Sequence, residues 1–376
     1  MDQALGIGII GCGKVAASYF NAIPRFKGLE IRACADLNRG MAERFGQDHG
    51  VRATTVSDLL HAGDVDLVVN LTSADAHYAV GWEVLRSRKH LFSEKPLTLT
   101  FAQAEALQKF AVENRRGIGV APNTFLTPAY QTARLMLQLE QIGQVNFATC
   151  HVMNRGAELR HHNPQAHYLA GQGPLTHQGP YCISTLVALF GSVETVCAVA
   201  SSPQSRRRGV TTDGALVEMD VDCDTTFQAL LSFRNGMQVS LVLSWDVWGP
   251  AESGIRVFGT HGTLELPDPT TYEGEVVLNR VDEGTGLVSP TVVPSTLAAP
   301  TDLRAEDFYR GLALADMARA LREGGSYRCS DYLAVHVVEV LEGIEHAARE
   351  GRRVVIGTDC CAPDPIVSAE IDRLLA

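Results

Sequence analysis

The stretch that decides the fold is residues 5–16, LGIGIIGCGKVA. Its apolar run, 5–10, stops at Gly11-Cys12-Gly13 and passes into a helix-compatible segment, so it reads as a buried strand, a tight turn and a helix start. Gly11 and Gly13 occupy the first two glycine positions of a G-x-G-x-x-G/A dinucleotide fingerprint, and Ala16 occupies the third. The first glycine permits the sharp turn, the second removes a side chain from the path of a pyrophosphate, and the small third residue lets helix and strand pack closely. Phosphates would then lie on backbone N–H groups at the helix start, beside Lys14 and Val15. Asp36 ends a second apolar strand, 30–35, at about the spacing of the acid that holds an adenosine ribose.

Outward from this turn, the first third of the chain alternates strands and helices. Helical patterns cover 14–23, ended by Pro24, then 38–49, a short segment capped by Ser57, 75–87 and 100–114; strands cover 65–71, 90–93 and 118–121. Such alternation predicts a parallel, doubly wound sheet with helices on both faces. Ligands of these sheets lie beyond the C-terminal strand ends, which here carry Gly11 to Gly13, Asp36, Asn70 to Thr72, Glu94-Lys95-Pro96 and Asn123.

Beyond Phe125 the pattern changes. Thr127-Pro128 starts a helix towards Gly143, and strand-like stretches follow at 145–153, 193–200, 216–222, 227–233, 237–245, 255–259, 263–266 and 276–281. Asn235-Gly236 is a hairpin signal and His261-Gly262 a weaker one, so these strands predict an open, mostly antiparallel sheet. The Pro-, Ser- and Thr-rich 290–300 reads as loop, and amphipathic helices at 307–322 and 331–349 follow. The expected fold is therefore α/β plus α+β, with a dinucleotide-binding domain over 1–125 and a substrate-binding and oligomerisation domain over 126–376.

Composition narrows the partners. A chain of 376 residues is long enough for two cores, and its net charge of −11 argues against nucleic acid, whose phosphates demand clustered cations. Arg206-Arg207-Arg208, the one basic run, reads as a solvated loop among Ser and Pro. Nine cysteines without a C-x-x-C pair suggest reduced thiols in the cytoplasm. No signal peptide is evident, and no apolar run approaches the ~20 residues of a membrane span. An open sheet whose outer face carries alternate apolar residues such as Leu230, Val239 and Leu241 needs a cover, which predicts a homodimer or homotetramer unless the terminal helices supply it.

Two further stretches carry chemistry. Glu94-Lys95-Pro96 brings an ammonium to a strand end, where it can bond a substrate hydroxyl and stabilise the alkoxide that develops as hydride leaves carbon. His177 and Tyr181, four apart in a helix that begins in GQGPLTHQGPY and continues to Leu189, share one face, and both can exchange protons. The alternative for that pair is a core histidine beside a core tyrosine. Arg160-His161-His162-Asn163 and His167 form a polar stretch suited to substrate contact, and their spacing is a poor metal-ligand set, so no metal is expected.

The Gly-rich turn, Glu94-Lys95-Pro96 and the Gly-rich helix start, in this order, resemble the glucose-fructose oxidoreductase, inositol dehydrogenase and rhizopine catabolism family. Asn70-Leu71-Thr72, Ala121-Pro122-Asn123, residues 244–249 and residues 258–263 also look like family positions. The resemblance implies hydride transfer between NAD(P) and a sugar, cyclitol or related polyol, with Lys95 beside the nicotinamide. It implies cofactor contacts from Gly11, Gly13, Lys14, Val15, Asp36, Arg39, Asn70, Thr72, His77, Glu94, Lys95 and Asn123. Substrate contacts are implied for Lys95, Asn123, Arg160, His161, His177 and Tyr181. Where the family usually has Asp, then three residues, then His, this chain has His177 and Tyr181. A neutral His takes a proton near pH 7, its unperturbed pKa being about 6.5, whereas a Tyr needs a neighbouring cation to lower its pKa from about 10. The catalytic set is accordingly Lys95, His177 as general base and Tyr181 as relay. Asp36 favours NAD(H), and Arg39 keeps NADP(H) as the alternative. A redox-neutral lyase or glycosidase using transient oxidation, and a non-catalytic cofactor-binding sensor, are the other readings.

Overall fold

A computed structural model of the chain describes residues 4–161, 163–249, 252–282, 284–297 and 302–376, with the side chains of 159–161 and 252 outside that description. It divides into two compact units: Met1–Thr127 with Leu297–Val338 and Pro363–Ala376, and Pro128–Thr296 with Glu339–Ala362. The first boundary falls two residues past Phe125. The second unit does not take all of 126–376, because two later stretches pack with the first.

The first unit is built on β1 (Leu5–Ile10), α1 (Ala16–Ala22), β2 (Leu29–Ala35), α2 (Arg39–His49), β3 (Arg52–Thr54), α3 (Val56–His61), β4 (Leu67–Asn70), α4 (His77–Arg86), β5 (His90–Ser93), α5 (Phe101–Glu113) and β6 (Ile118–Val120). Its six strands run in the order β3-β2-β1-β4-β5-β6, and every pairing is parallel. This is a Rossmann sheet whose order reverses between β1 and β4, the point at which sheets of this kind bind their ligands. The strands read as apolar runs because helices cover both faces, and β4 is buried along its whole length. Hydrogen bonding continues just past the strand ends: Gly11 N–H to Ala35, Leu71 N–H to Ile10, Glu94 N–H to Asn70 and Ala121 N–H to Ser93. The residues that follow the strands are thereby aligned along one edge.

Asn38 caps α2 by accepting from the Gly40 and Met41 N–H groups. Thr55, not Ser57, caps α3, accepting from Asp58 N–H. The helix expected from residue 14 begins at Ala16, and β3, a three-residue edge strand, was too short to show a pattern.

The second unit starts with α6 (Pro128–Gln138), β7 (Val145–Met153), β8 (Leu159–His161), α7 (Pro174–Phe190), β9 (Val193–Ser201), β10 (Arg206–Thr211), β11 (Leu216–Asp220), β12 (Thr226–Phe233), β13 (Gln238–Ser244), β14 (Glu252–Gly259), β15 (Thr263–Leu266), β16 (Val276–Val281) and β17 (Val288–Val293). Then come α8 (Ala305–Glu323), α9 (Asp331–Glu350), β18 (Val354–Val355) and α10 (Ser368–Leu374). Nine strands form one sheet in the order β17-β16-β15-β14-β7-β13-β12-β9-β18. All its pairings are antiparallel except β7 with β13.

Three expectations are corrected here. The arginine run is strand β10, in a small sheet between β11 and β8, and Arg207 points inward. Residues 290–293 of the Pro-rich stretch belong to β17, which pairs with β16, while 298–300 lie outside the described residues. Finally, the hairpin at Asn235-Gly236 sets Leu230 opposite Ser240 and Leu231 opposite Val239. Side chains alternate across a sheet, so Val239 and Leu241 belong to the buried face and Leu230 alone of the three is outward, with 61% exposure. Among the described residues no helix is long and apolar enough to cross a membrane.

Candidate active site

The glycine turn has the shape its sequence asks for. Gly11 sits at φ +98°, where a Cβ would lie 2.7 Å from the Leu71 carbonyl carbon and oxygen. Gly13 is different, since a Cβ there would meet no atom of the chain within 4 Å. The turn therefore presents open room at the position where a dinucleotide pyrophosphate passes, and the residues present fit that group. Asp36 holds the turn: its two oxygens accept from Cys12 N–H and Asn38 N–H, each at 2.7 Å. Each carboxylate oxygen keeps a lone pair for a ribose hydroxyl. Arg39 is solvent-exposed and paired with Glu43 at 2.8 Å; Lys14 is exposed and Val15 half-buried at the start of α1.

Between β4 and β5 a hydrogen-bonded web ties the rim together. Asn70, fully buried, accepts from the Thr72 hydroxyl at 2.7 Å and donates to the His77 carbonyl at 3.3 Å. His77 is buried, with Nδ1 2.6 Å from the Pro96 carbonyl oxygen and Nε2 3.0 Å from that of Thr72. Its ring thus braces the loops after β4 and β5 and faces backbone carbonyls rather than an open site. Asn123 is also fully buried and donates to the Tyr309 carbonyl at 2.7 Å. Lys95 follows β5 and is partly exposed; burial pulls its ammonium below the usual lysine range, nearby Arg310 adds to this, and Glu94 opposes it.

In the second unit, α7 starts with Gly173 at φ +101° and Pro174 in its first turn. His177, in that first turn, is half-buried, with Nε2 3.0 Å from Gln172 Oε1. Its ring stacks on His167, centroids 4.5 Å apart, and lies 5.7 Å from the Trp245 ring. Tyr181 is half-buried one turn further along the same face. The side chains of Arg160 and His161, on β8, and all of His162 lie outside the described residues.

Residues 5–121 match an oxidoreductase family with an NAD-binding Rossmann fold, and residues 130–265 match the GFO/IDH/MocA C-terminal domain. The chain belongs to the glucose-fructose oxidoreductase, inositol dehydrogenase and rhizopine catabolism family. It is thus an oxidoreductase that binds NAD through its first unit. A dTDP-3,4-didehydro-2,6-dideoxy-alpha-D-glucose 3-reductase from Actinomadura kijaniata is 28% identical over 298 residues, 76% of this chain and 82% of that protein. In fold, an NAD binding oxidoreductase from Klebsiella pneumoniae superposes with a TM-score of 0.79 at 21% identity, over 95% of this chain and 100% of that one. A levoglucosan dehydrogenase in complex with NADH and L-sorbose superposes with a TM-score of 0.79 at 18% identity, over 95% of this chain and 100% of that one.

Sequence reasoning missed what supports His177. Arg207 is buried and donates to Glu158 Oε1 and to the Trp245 carbonyl, both at 2.8 Å, and pairs with Asp246. Glu158 also accepts from Arg155 at 2.9 Å, and the Arg155 guanidinium covers the Trp248 ring. Tyr168 packs edge-on to Trp245, its phenol pushed up to about 12 by burial and then by Glu158. Residues 206–209, Arg-Arg-Arg-Gly, carry no alternation that would have marked β10; their burial alternates only in the fold, and the carboxylates that neutralise Arg207 are far off in sequence. Among the described residues no group of three His, Cys, Asp or Glu is placed to hold a metal ion.

Proposed function

We propose that the protein transfers hydride between NAD and a secondary alcohol of a sugar, cyclitol or related polyol, with Lys95 as the principal proton-transfer group. The observation that carries this reading is the placement of Lys95 just past the end of β5, on the strand-end edge that also bears the Gly11 to Gly13 turn, where burial draws its ammonium below the usual lysine range. A lysine drawn towards neutrality can take the hydroxyl proton during oxidation and return it during reduction. Bound NAD supplies the hydride acceptor, and its reduced form the donor. His177 serves as general base and Tyr181 as hydrogen-bonding relay. Gln172 and the His167 and Trp245 rings fix the His177 imidazole, as such a role requires.

Asp36 supports NAD over NADP, because a carboxylate accepts from ribose hydroxyls and repels a 2′-phosphate, while Arg39 is engaged with Glu43. The outer sheet face, with Leu230, Val199 and Phe147 exposed, supports a homo-oligomer, which light scattering tests. Nine cysteines, all free thiols, suit a reducing cytoplasm.

The deciding experiment follows NADH absorbance with NAD across a panel of sugars and polyols. Net reduction with at least one of them, lowered by roughly 10² or more in Lys95→Ala, is the expected result. NADH titration of that variant should stay near wild type, since the turn binds through backbone. Substrate consumption without net NADH would overturn the reading in favour of redox-neutral chemistry, and NADH binding without turnover would favour a sensor.

A further inference from the structure

Glu94, beside Lys95, is held from two helices. Tyr19 of α1, buried, donates its hydroxyl to Oε1 at 3.3 Å, and Arg310 of α8 places Nε 3.6 Å from the same oxygen. The other carboxylate oxygen accepts from the Lys95 N–H at 3.2 Å. Neither charged partner is loose, with side-chain exposures of 12% for Arg310 and 13% for Glu94. Arg310 itself is steadied by the Ser18 hydroxyl at 3.5 Å and by Glu306 at 4.0 Å.

An acid next to a lysine ordinarily favours the ammonium, which would leave Lys95 a poor proton acceptor. We infer that Arg310 is a positioning residue for Lys95: by engaging Glu94 it draws that carboxylate's field away from the lysine and sets the pH at which Lys95 accepts a proton. This rests on the reading of Lys95 as the proton-transfer group. Among the described residues, Glu94 and Arg310 act on the lysine directly, and the titratable groups around them include Glu306 on α8 and Tyr19 on α1, with His77 on α4 bonded to the Pro96 carbonyl next to Lys95. Arg310 brings its cation to this carboxylate from more than two hundred residues along the chain.

The test measures Lys95 directly, by competitive acetylation with acetic anhydride across neutral to alkaline pH, read by mass spectrometry in the full chain. Arg310→Gln should move the midpoint of Lys95 reactivity to a pH roughly one higher, leaving roughly tenfold less neutral amine below it. Arg310→Lys should return the midpoint towards wild type, and Glu94→Gln should move it the opposite way. The acid limb of turnover should shift in step. A midpoint unmoved in Arg310→Gln, or moved the same way in Glu94→Gln, overturns the inference even if turnover falls. Should Arg310→Gln fail to fold, the direction in Glu94→Gln decides. Lys95→Ala keeps the two readings apart: full turnover in that variant refutes the role of Lys95 itself, whatever the labelling shows.

Discussion

Alanine at the two glycines of the turn should give opposite phenotypes. At Gly11 the new Cβ would lie 2.7 Å from the Leu71 carbonyl group and 3.0 Å from Thr72 nitrogen, with φ at +98°. Those backbone atoms cannot easily give way, because Leu71 N–H is bonded to Ile10 and Thr72 N–H to Asn70. A left-handed conformation costs a non-glycine residue roughly 1–2 kcal/mol, and overpacking adds about 1–3 kcal/mol. Gly11→Ala should therefore lower the melting temperature of the first unit by roughly 4–20 °C, at 2–4 °C per kcal/mol for a unit of this size. At Gly13 the methyl group meets nothing, so Gly13→Ala should fold within about 0.5 kcal/mol of wild type. Its cost should appear on cofactor addition. With NADH at about a hundred times the wild-type Kd, wild type gains roughly 2.7 kcal/mol, whereas a variant binding tenfold more weakly gains about half of that. Thermal melts with and without NADH measure both effects. Equal NADH-induced shifts in Gly13→Ala and wild type would refute the placement of the pyrophosphate, and an unchanged melt for Gly11→Ala would refute the steric argument.

Two other outcomes follow from buried charge. Arg207→Met leaves Glu158 and Asp246 without their shared cation and should cost roughly 3–5 kcal/mol by urea denaturation, towards the lower end because Arg155 still pairs with Glu158. Adding Glu158→Gln should restore part of the loss; a cost below about 1 kcal/mol would contradict the burial argument. His90 accepts the Gly117 N–H at Nδ1, and burial, then Arg116, push its pKa down to about 4 from 6.5. The unfolded ring therefore takes up a proton that the folded ring refuses, so stability is full above about pH 6.5 and falls by ~3 kcal/mol towards pH 4. Urea midpoints across that window should fall more steeply in wild type than in His90→Gln, and equal slopes would contradict this account.

What the sequence revealed was whatever local chemistry dictates. The run 5–10, the glycines after it and Asp36 lie within about thirty residues of one another, and each has a conformational or charge requirement that only a few residue types meet. Lys95 could be placed because a strand and a proline bracket it. What depends on pairing across long separations stayed hidden. Arg207 looked solvated because its carboxylates, Glu158 and Asp246, are 49 and 39 residues away. Val239 and Leu241 were put on the wrong face because alternation says which residues share a face, not which face is covered. His77 was expected at the cofactor, yet its ring is taken up by the Thr72 and Pro96 carbonyls, which only the folded loops bring together.

The discontinuous first unit bears on how the protein is made. Its sheet is finished by Val120, but α8 and residues 363–376 belong to it as well. Lys27 N–H bonds to Leu374 and Ala376 N–H to Arg25, so the segment leading into β2 is fastened by residues translated about 350 positions later. A ribosome will have released most of the second unit before this fastening can form. A nascent chain stalled after β6 should consequently expose apolar surface that α8 later covers, at Phe26 and Ala22, which line the backbone of Gly311. Vectorial synthesis thus places completion of the nucleotide-binding unit after the second unit has emerged, although its glycine signature is translated about 350 residues earlier.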